Sequence, residues 1–376
     1  MKTVCEINKC NGCMACTSIC PKKCITIKDE IDSFNAEIEE KECINCKKCE
    51  KVCPNVNFPQ KKKPIKWKQG WADSTIRKNS TSGGAASAII YSFIQSGGYV
   101  AACLFQDGVF GFEITNDLEI AKRFAGSKYV KSNPTGIYEK VKEQLKTHKV
   151  LFIGLPCQVA AIKNYVKNDN LYTVDIICHG TPSVKLLNQF LLENGYDLKS
   201  IKDIQFRTKT DFGLSTDGKR IYMSRVIDDY LCAFLSSIDY TENCYSCQFS
   251  SLDRVSDITL GDSWGTEYRK EEKKGISLLL IQSEKGMELI ADSGLELKSV
   301  DLDNAVNNNE QLSRPSALKP KRKKFLKLIK DGKSFKNATL LCLPQMVIKQ
   351  KIKLIMISLH LMKSGGGYRM SIITDR

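Results

Sequence analysis

Histidine is almost missing from this chain: 3 of 376 residues, namely His148, His179 and His360. So little imidazole leaves no Ser-His-Asp set and few bases for proton abstraction, which argues against hydrolytic chemistry. Continuous apolar runs of about 18 residues are missing too, so no membrane span is expected. The nearest approach, Leu340 to Leu361, is broken by Pro344, Lys349, Lys351 and Lys353. The start, Met1-Lys2-Thr3-Val4-Cys5-Glu6, shows no apolar stretch of signal-peptide type, which points to the cytoplasm. Acidic residues are scarce near the end: residues 311–376 hold 16 Lys/Arg against 2 Asp/Glu, +14 of the net +15. The basic excess therefore belongs to one stretch, which also lacks the interleaved aromatics of a nucleic-acid surface, and no nucleic acid is expected as a partner. Peripheral membrane contact through this C-terminal basic stretch, or an acidic partner, stands beside the plainer reading of a solvated helix face.

Cysteine is plentiful instead. Seventeen are present, ten of them before Pro54. A reducing compartment with metal-bound thiolates accounts for such a density better than a disulfide scaffold. The first run is Cys10-x2-Cys13-x2-Cys16-x3-Cys20-Pro21 and the second is Cys43-x2-Cys46-x2-Cys49-x3-Cys53-Pro54, a gapless repeat at an offset of 33 residues. Both match the bacterial two-cluster ferredoxin pattern, in which the fourth cysteine of each run serves the other cluster. One [4Fe-4S] cluster would then take Cys10, Cys13, Cys16 and Cys53, and the other Cys43, Cys46, Cys49 and Cys20. Structural zinc usually spaces its ligand pairs further apart. Cys5 and Cys24 fit neither set and read as ordinary thiols.

Residues 1–60 thus form a small domain with short strands near Ile25–Ile27 and Ala36–Ile38. Beyond a Lys/Pro-rich connection, apolar strands alternate with amphipathic helices. Strands are expected over Tyr99–Phe105, Val150–Ile153, Tyr172–Cys178 and Ile276–Ile281, and helices over Ala85–Ile94, Val159–Val166, Pro182–Glu193 and Glu284–Ala291. That alternation predicts an α/β body of mixed sheet, and the whole reads as an α+β chain. Four cysteines of the body, Cys157, Cys178, Cys244 and Cys247, fall at strand ends or in a polar loop. By spacing they suit a third cluster, a Cys244/Cys247 dithiol, or a zinc pair with two buried thiols. Cys103, Cys232 and Cys342 sit in apolar surroundings and read as core.

Several motifs occur together and in order: Thr81-Ser82-Gly83-Gly84, Gly154-Leu155-Pro156-Cys157-Gln158, Cys178-His179-Gly180-Thr181-Pro182-Ser183, Phe206-Arg207-x-Lys209, Cys244-x2-Cys247 and Gly261-Asp262-x-Trp264-Gly265. In these the chain resembles the coenzyme F420 hydrogenase/dehydrogenase beta-subunit family, in the form that carries an N-terminal two-cluster ferredoxin domain. The resemblance covers residues 67–337 and leaves 338–376 as a basic, apolar tail. It implies an FAD-binding α/β body beside a [4Fe-4S] cluster, with Cys157, Cys178, Cys244 and Cys247 as the ligands of that cluster. It also implies a redox partner protein or soluble electron carrier, which in archaeal members is the deazaflavin coenzyme. Gly83, Gly84, Lys128, Arg207 and Asp262 become candidate flavin or substrate contacts, the two cations because a diphosphate or reduced flavin is anionic. The sequence departs from the family where a tryptophan expected soon after Arg207 is replaced by Phe212. The function expected is that of an iron–sulfur flavoprotein oxidoreductase; the alternative is an electron-transfer subunit whose partner does the catalysis.

Overall fold

The cysteine-rich segment builds the same backbone twice. Gly12 and Asn45 are both left-handed (φ 64° and 52°), as are Met14 and Lys47 (φ 59° and 58°), each pair 33 residues apart like the cysteines themselves. Met14 and Lys47 start the short helices Ala15–Ile19 and Lys48–Val52, and each helix ends on an extended Cys20 or Cys53. The tight x2 spacing forces these reversals, and a three-stranded antiparallel sheet backs them. Its strands are β1 (Lys2–Thr3), β2 (Ile25–Asp29) and β3 (Phe34–Ile38), in the order β1-β3-β2. Val4, Ile25, Phe34, Ala36 and Ile38 pack beneath the cysteines. This computed structural model describes residues 2–361.

The body contributes β4 (Lys66–Trp71), β5 (Tyr99–Gln106), β6 (Val109–Thr115), β7 (Val150–Gly154) and β8 (Leu171–Ile176). There follow β9 (Ile204–Arg207), β10 (Phe212–Thr216) and β11 (Lys219–Arg220), which form a separate three-stranded sheet, then β12 (Ile258–Asp262), β13 (Ser277–Ile281) and β14 (Glu296–Lys298). Eight strands make the main sheet in the order β14-β4-β13-β12-β8-β7-β5-β6. The four central strands β12, β8, β7 and β5 are parallel, and the outer ones antiparallel. This is the mixed α/β body that the alternation predicts.

Side-chain alternation shows why the centre is covered twice. In β7, Leu151 packs with Ile89, Ile90 and Phe93 of the helix Ala85–Gln95. Its neighbours Val150 and Phe152 turn the other way, to Val159 and Ile162 of the helix Pro156–Tyr165. Strands buried on both faces are the rule for parallel sheets.

Two helix starts differ from expectation. The helix after β7 begins at Pro156, because proline suits a first helical position. The next begins only at Val184, since Ser183 rather than Pro182 caps it, its hydroxyl accepting from Lys185 N. At the C-terminal side, the boundary expected at 338 falls inside the helix Phe335–Cys342, whose Phe335, Ala338, Thr339 and Cys342 are buried. Phe335 stacks edge-on to Phe190 and Phe325, a burial worth roughly 2 kcal/mol per ring. The basic run 319–330 is thus one helix, Pro320–Lys330, that turns Phe325, Leu326 and Ile329 inward and most of its lysines outward. A last helix, Pro344–Ser358, follows; residues 362–376 of the expected tail lie outside the described residues. Among the described residues no helix is long and apolar enough to cross a membrane.

Candidate functional site

Crossing of the two cysteine runs is visible in the side chains. Cys10, Cys13, Cys16 and Cys53 line one small cavity, closed by Val4, Met14, Ala36 and Pro54. Three thiols of that set come from the first run and the fourth from the second. Burial pushes the Cys13 and Cys16 thiols up. Cys53 is instead lowered to about 7 and Cys10 is lowered as well, in both cases first through a hydrogen bond from Cys5. Cys5 is therefore a fifth thiol at this cavity, where the sequence suggested an ordinary one. In the other set Cys20, from the first run, lies close enough to Cys49 to raise it, burial being the larger cause. Cys24 stands 3.5 Å from the Cys20 sulfur. Cys46 is exposed and Cys43 and Cys49 are partly so, whereas the Cys10 set is buried.

In the body the sheet gathers the other cysteines. β7 and β8 run parallel in register, Gly154 opposite Asp175, so their carboxyl ends open on one edge, the usual ligand side of such sheets. Cys157 sits in the first turn of the helix after β7, and Cys178 two residues beyond β8. Gly180 (φ 142°) lets Tyr240 close on this edge, since a Cβ there would stand 2.3 Å from the ring. That approach carries in the 3₁₀ turn Glu242–Ser246, with Cys244 on it and Cys247 just after. Burial raises Cys157 and Cys247 and pushes Cys178 up to about 12, and each of the three also feels the charge of Cys244. Lys131 opposes the rise at Cys157 and Cys178, and Arg254 at Cys247. Four thiols with two fixed cations suit an anionic cluster. Among the described residues no three His, Cys, Asp or Glu side chains close on a point as a single metal ion would need; zinc asks for sulfurs about 2.3 Å from one centre.

The two regions touch through side chains that the sequence motifs did not single out. Asn243, beside Cys244, donates to Asn11 Oδ1 at 3.1 Å, and Asn11, beside Cys10, donates to Asn55 Oδ1 at 2.9 Å. Lys131 donates to Asn11 O at 3.2 Å and lies 5.3 Å over the Phe34 ring. Its charge favours the thiolate of Cys10 as well as those of Cys157 and Cys178. Tyr138 donates to Cys13 O at 2.6 Å, and its phenol lies near enough to Cys157 to feel its charge. The one signal in the sequence was adjacency: both asparagines border a cysteine of a ligand set. Lys131 gave none.

The candidate flavin contacts divide. Arg207 and Asp262 come together in a two-pronged ion pair, 2.8 and 3.1 Å, and Arg207 also donates to Thr81 O at 2.9 Å. The Arg207 Nε is buried and makes no hydrogen bond among the described residues, while the Tyr129 phenol lies within reach of the guanidinium. Tyr129 and His179 lie against the pair, both in buried surroundings that push the His179 imidazole down and the Tyr129 phenol up. This group adjoins Cys178 through His179. Lys128 stands elsewhere, its ammonium donating to Phe124 O and Ala125 O at 2.8 and 3.0 Å. Gly83 serves packing, because a Cβ would meet Gly70 O and Ser277 N at 2.5 Å. Gly84 (φ 87°) starts the helix Ala85–Gln95 in a left-handed conformation.

Doubled cysteine loops with crossed fourth thiols, docked on a mixed α/β body, define an iron–sulfur electron-transfer protein. Residues 9–57 match the 4Fe-4S dicluster domain, and residues 147–303 match the C-terminal part of the coenzyme F420 hydrogenase/dehydrogenase beta subunit. Residues 147–303 thus carry the C-terminal segment of the F420 hydrogenase/dehydrogenase beta subunit, with a dicluster domain ahead of it. An uncharacterized protein of Methanocaldococcus jannaschii is 24% identical over 332 residues, 75% of this chain and 85% of its own length. A chain of the F420-reducing [NiFe] hydrogenase complex from Methanosarcina barkeri aligns with TM-score 0.49 and 20% identity, over 66% of this chain and 91% of that one.

Proposed function

We propose that the chain relays single electrons from a partner protein or soluble carrier, which meets it at the exposed Cys43–Cys49 loop, inward to a flavin-bearing body. Cys43, Cys46, Cys49 and Cys20 would hold the outer cluster, Cys10, Cys13, Cys16 and Cys53 the inner one, and Cys157, Cys178, Cys244 and Cys247 a third. Bound clusters supply one-electron transfer, and a bound FAD would supply the step between one and two electrons. The observation that carries the reading is the Asn55–Asn11–Asn243 chain of hydrogen bonds, which joins the loops of the inner set to the loop of the body set. Lys131 adds fixed positive charge that both sets share. For a flavin, Arg207 offers its buried Nε, held in place by Asp262 and flanked by Tyr129 and His179.

One observation favours the second reading, an electron-transfer subunit without its own catalysis: Lys128 and most of the Arg207 guanidinium are already bound within the protein. Anaerobic purification followed by iron, sulfide and flavin quantitation separates the two. The proposal expects about twelve irons and one flavin per chain, four irons for each set of thiols. Iron at that level without flavin leaves the second reading. A content of about eight irons and no flavin removes the body site altogether.

A further inference from the structure

The last described helix, Pro344–Ser358, packs one side on the protein and leaves an apolar side exposed. Val347, Gln350, Lys353 and Ile357 face inward, with Gln350 accepting from Ile227 N at 3.1 Å. On the outer side Ile348, Ile352, Ile355 and Leu359 are 49, 53, 56 and 62% exposed. Their spacing of four, three and four residues lines them up as one stripe along the helix and its end. Met356 widens it. Exposed Lys349 and Lys351 border the stripe, and residues 332–361 contain no Asp or Glu. The neighbouring helix Pro320–Lys330 adds more cations and reaches the stripe's approach, since Lys324 donates to the carbonyl of exposed Leu341 at 3.2 Å. Over residues 319–361 there are 12 Lys/Arg and one acid, Asp331.

Such a stripe needs a cover, and its charges select one. In a pair of copies Lys349 and Lys351 would face like charges, since the acid that Lys351 reaches, Asp229, is buried and bonded to Tyr222, and the seam is too short for a stable coiled coil. Anionic lipid satisfies both features: the stripe sinks to the level of the acyl boundary while the ammonium groups meet phosphate. We propose that this helix docks the protein on the surface of a membrane rich in anionic phospholipid. The inference goes beyond the relay and needs neither the flavin nor the third cluster.

The test is co-sedimentation of the anaerobically purified full-length protein with vesicles of phosphatidylcholine, alone or with about 30 mol% phosphatidylglycerol. Affinity for the anionic vesicles should exceed that for the neutral ones by about tenfold or more at low salt. Ile352→Glu/Ile355→Glu should lower it by at least about tenfold, with iron content and circular dichroism unchanged because both positions are exposed. Absence of binding to the anionic vesicles would overturn the proposal. So would equal binding by the variant, which would leave the lysines acting alone. A wild-type dimer in sedimentation velocity that becomes a monomer in the variant would assign the stripe to a second copy and overturn it as well.

Discussion

Cys244→Ser/Cys247→Ser protein is expected to lose about four irons and the matching sulfide, about a third of its content, while keeping the remaining eight. The double replacement removes two of the four thiols gathered at the carboxyl ends of β7 and β8, and serine is a poor substitute for a soft thiolate. Cys10 through Cys20 and Cys43 through Cys53 stand on loops of their own, with a separate sheet behind them. Their eight thiols are untouched, so their iron should remain. Cys232→Ser serves as the control, since Cys232 is buried on the helix Asp229–Leu235 and the charges it feels are those of Asp228, Asp229 and Lys353 rather than of another cysteine. If that control keeps its iron and the double variant does too, the body cysteines are not cluster ligands. The Cys244/Cys247 dithiol then becomes the better reading of that loop.

Lys131→Met should lower the reduction potentials of two sites together. The ammonium is nearly buried, bonded to Asn11 O, and its charge reaches both Cys10 and the pair Cys157 and Cys178. Each added electron makes a thiolate-bound cluster more anionic, so a fixed cation favours the reduced form. At an effective dielectric near 20, one nearby charge is worth on the order of 2 kcal/mol. That corresponds to a fall on the order of 100 mV for a one-electron couple. Dye-mediated redox titration followed by electron paramagnetic resonance should find two of three potentials lowered and the third, from the exposed Cys43–Cys49 loop, nearly unchanged. Lys131→Arg should preserve the wild-type values. Equal shifts at all three sites, or none, would mean that Lys131 is only a packing residue.

The N-terminal chemistry was legible because cluster ligation is a local demand. Two-residue gaps between thiols force reversals of the backbone, and the left-handed pairs Gly12/Asn45 and Met14/Lys47 write the same repeat into the structure. The strands β5, β7, β8 and β13 were legible as well, because burial on both faces leaves continuous apolar runs such as Val150–Ile153 and Leu278–Ile281, whereas β12 was not expected as a strand. What closes on what was not legible. Asn11 and Asn243 meet across 232 positions, and nothing in the sequence around Asn11 names that partner. Lys131 lies outside every motif and acts only because the fold lays it between two sets of thiols. Cys5 looked idle for the same reason. It precedes the first run, and only the pairing of β1 with β3 carries the chain that leads to it back beside Cys10 and Cys53. The C-terminal boundary was less legible in composition: the tail expected from 338 begins inside the helix Phe335–Cys342, whose Phe335, Ala338, Thr339 and Cys342 are buried.

The central claim is a relay of three cysteine sets in which the inner N-terminal set and the body set are neighbours. Its most direct test is spin quantitation by electron paramagnetic resonance of the fully reduced, anaerobically purified protein. The relay predicts about three spins per chain with the line splitting of closely placed clusters, falling to about two in Cys244→Ser/Cys247→Ser. About two spins in the wild type, with a spectrum that this replacement leaves unchanged, would contradict it.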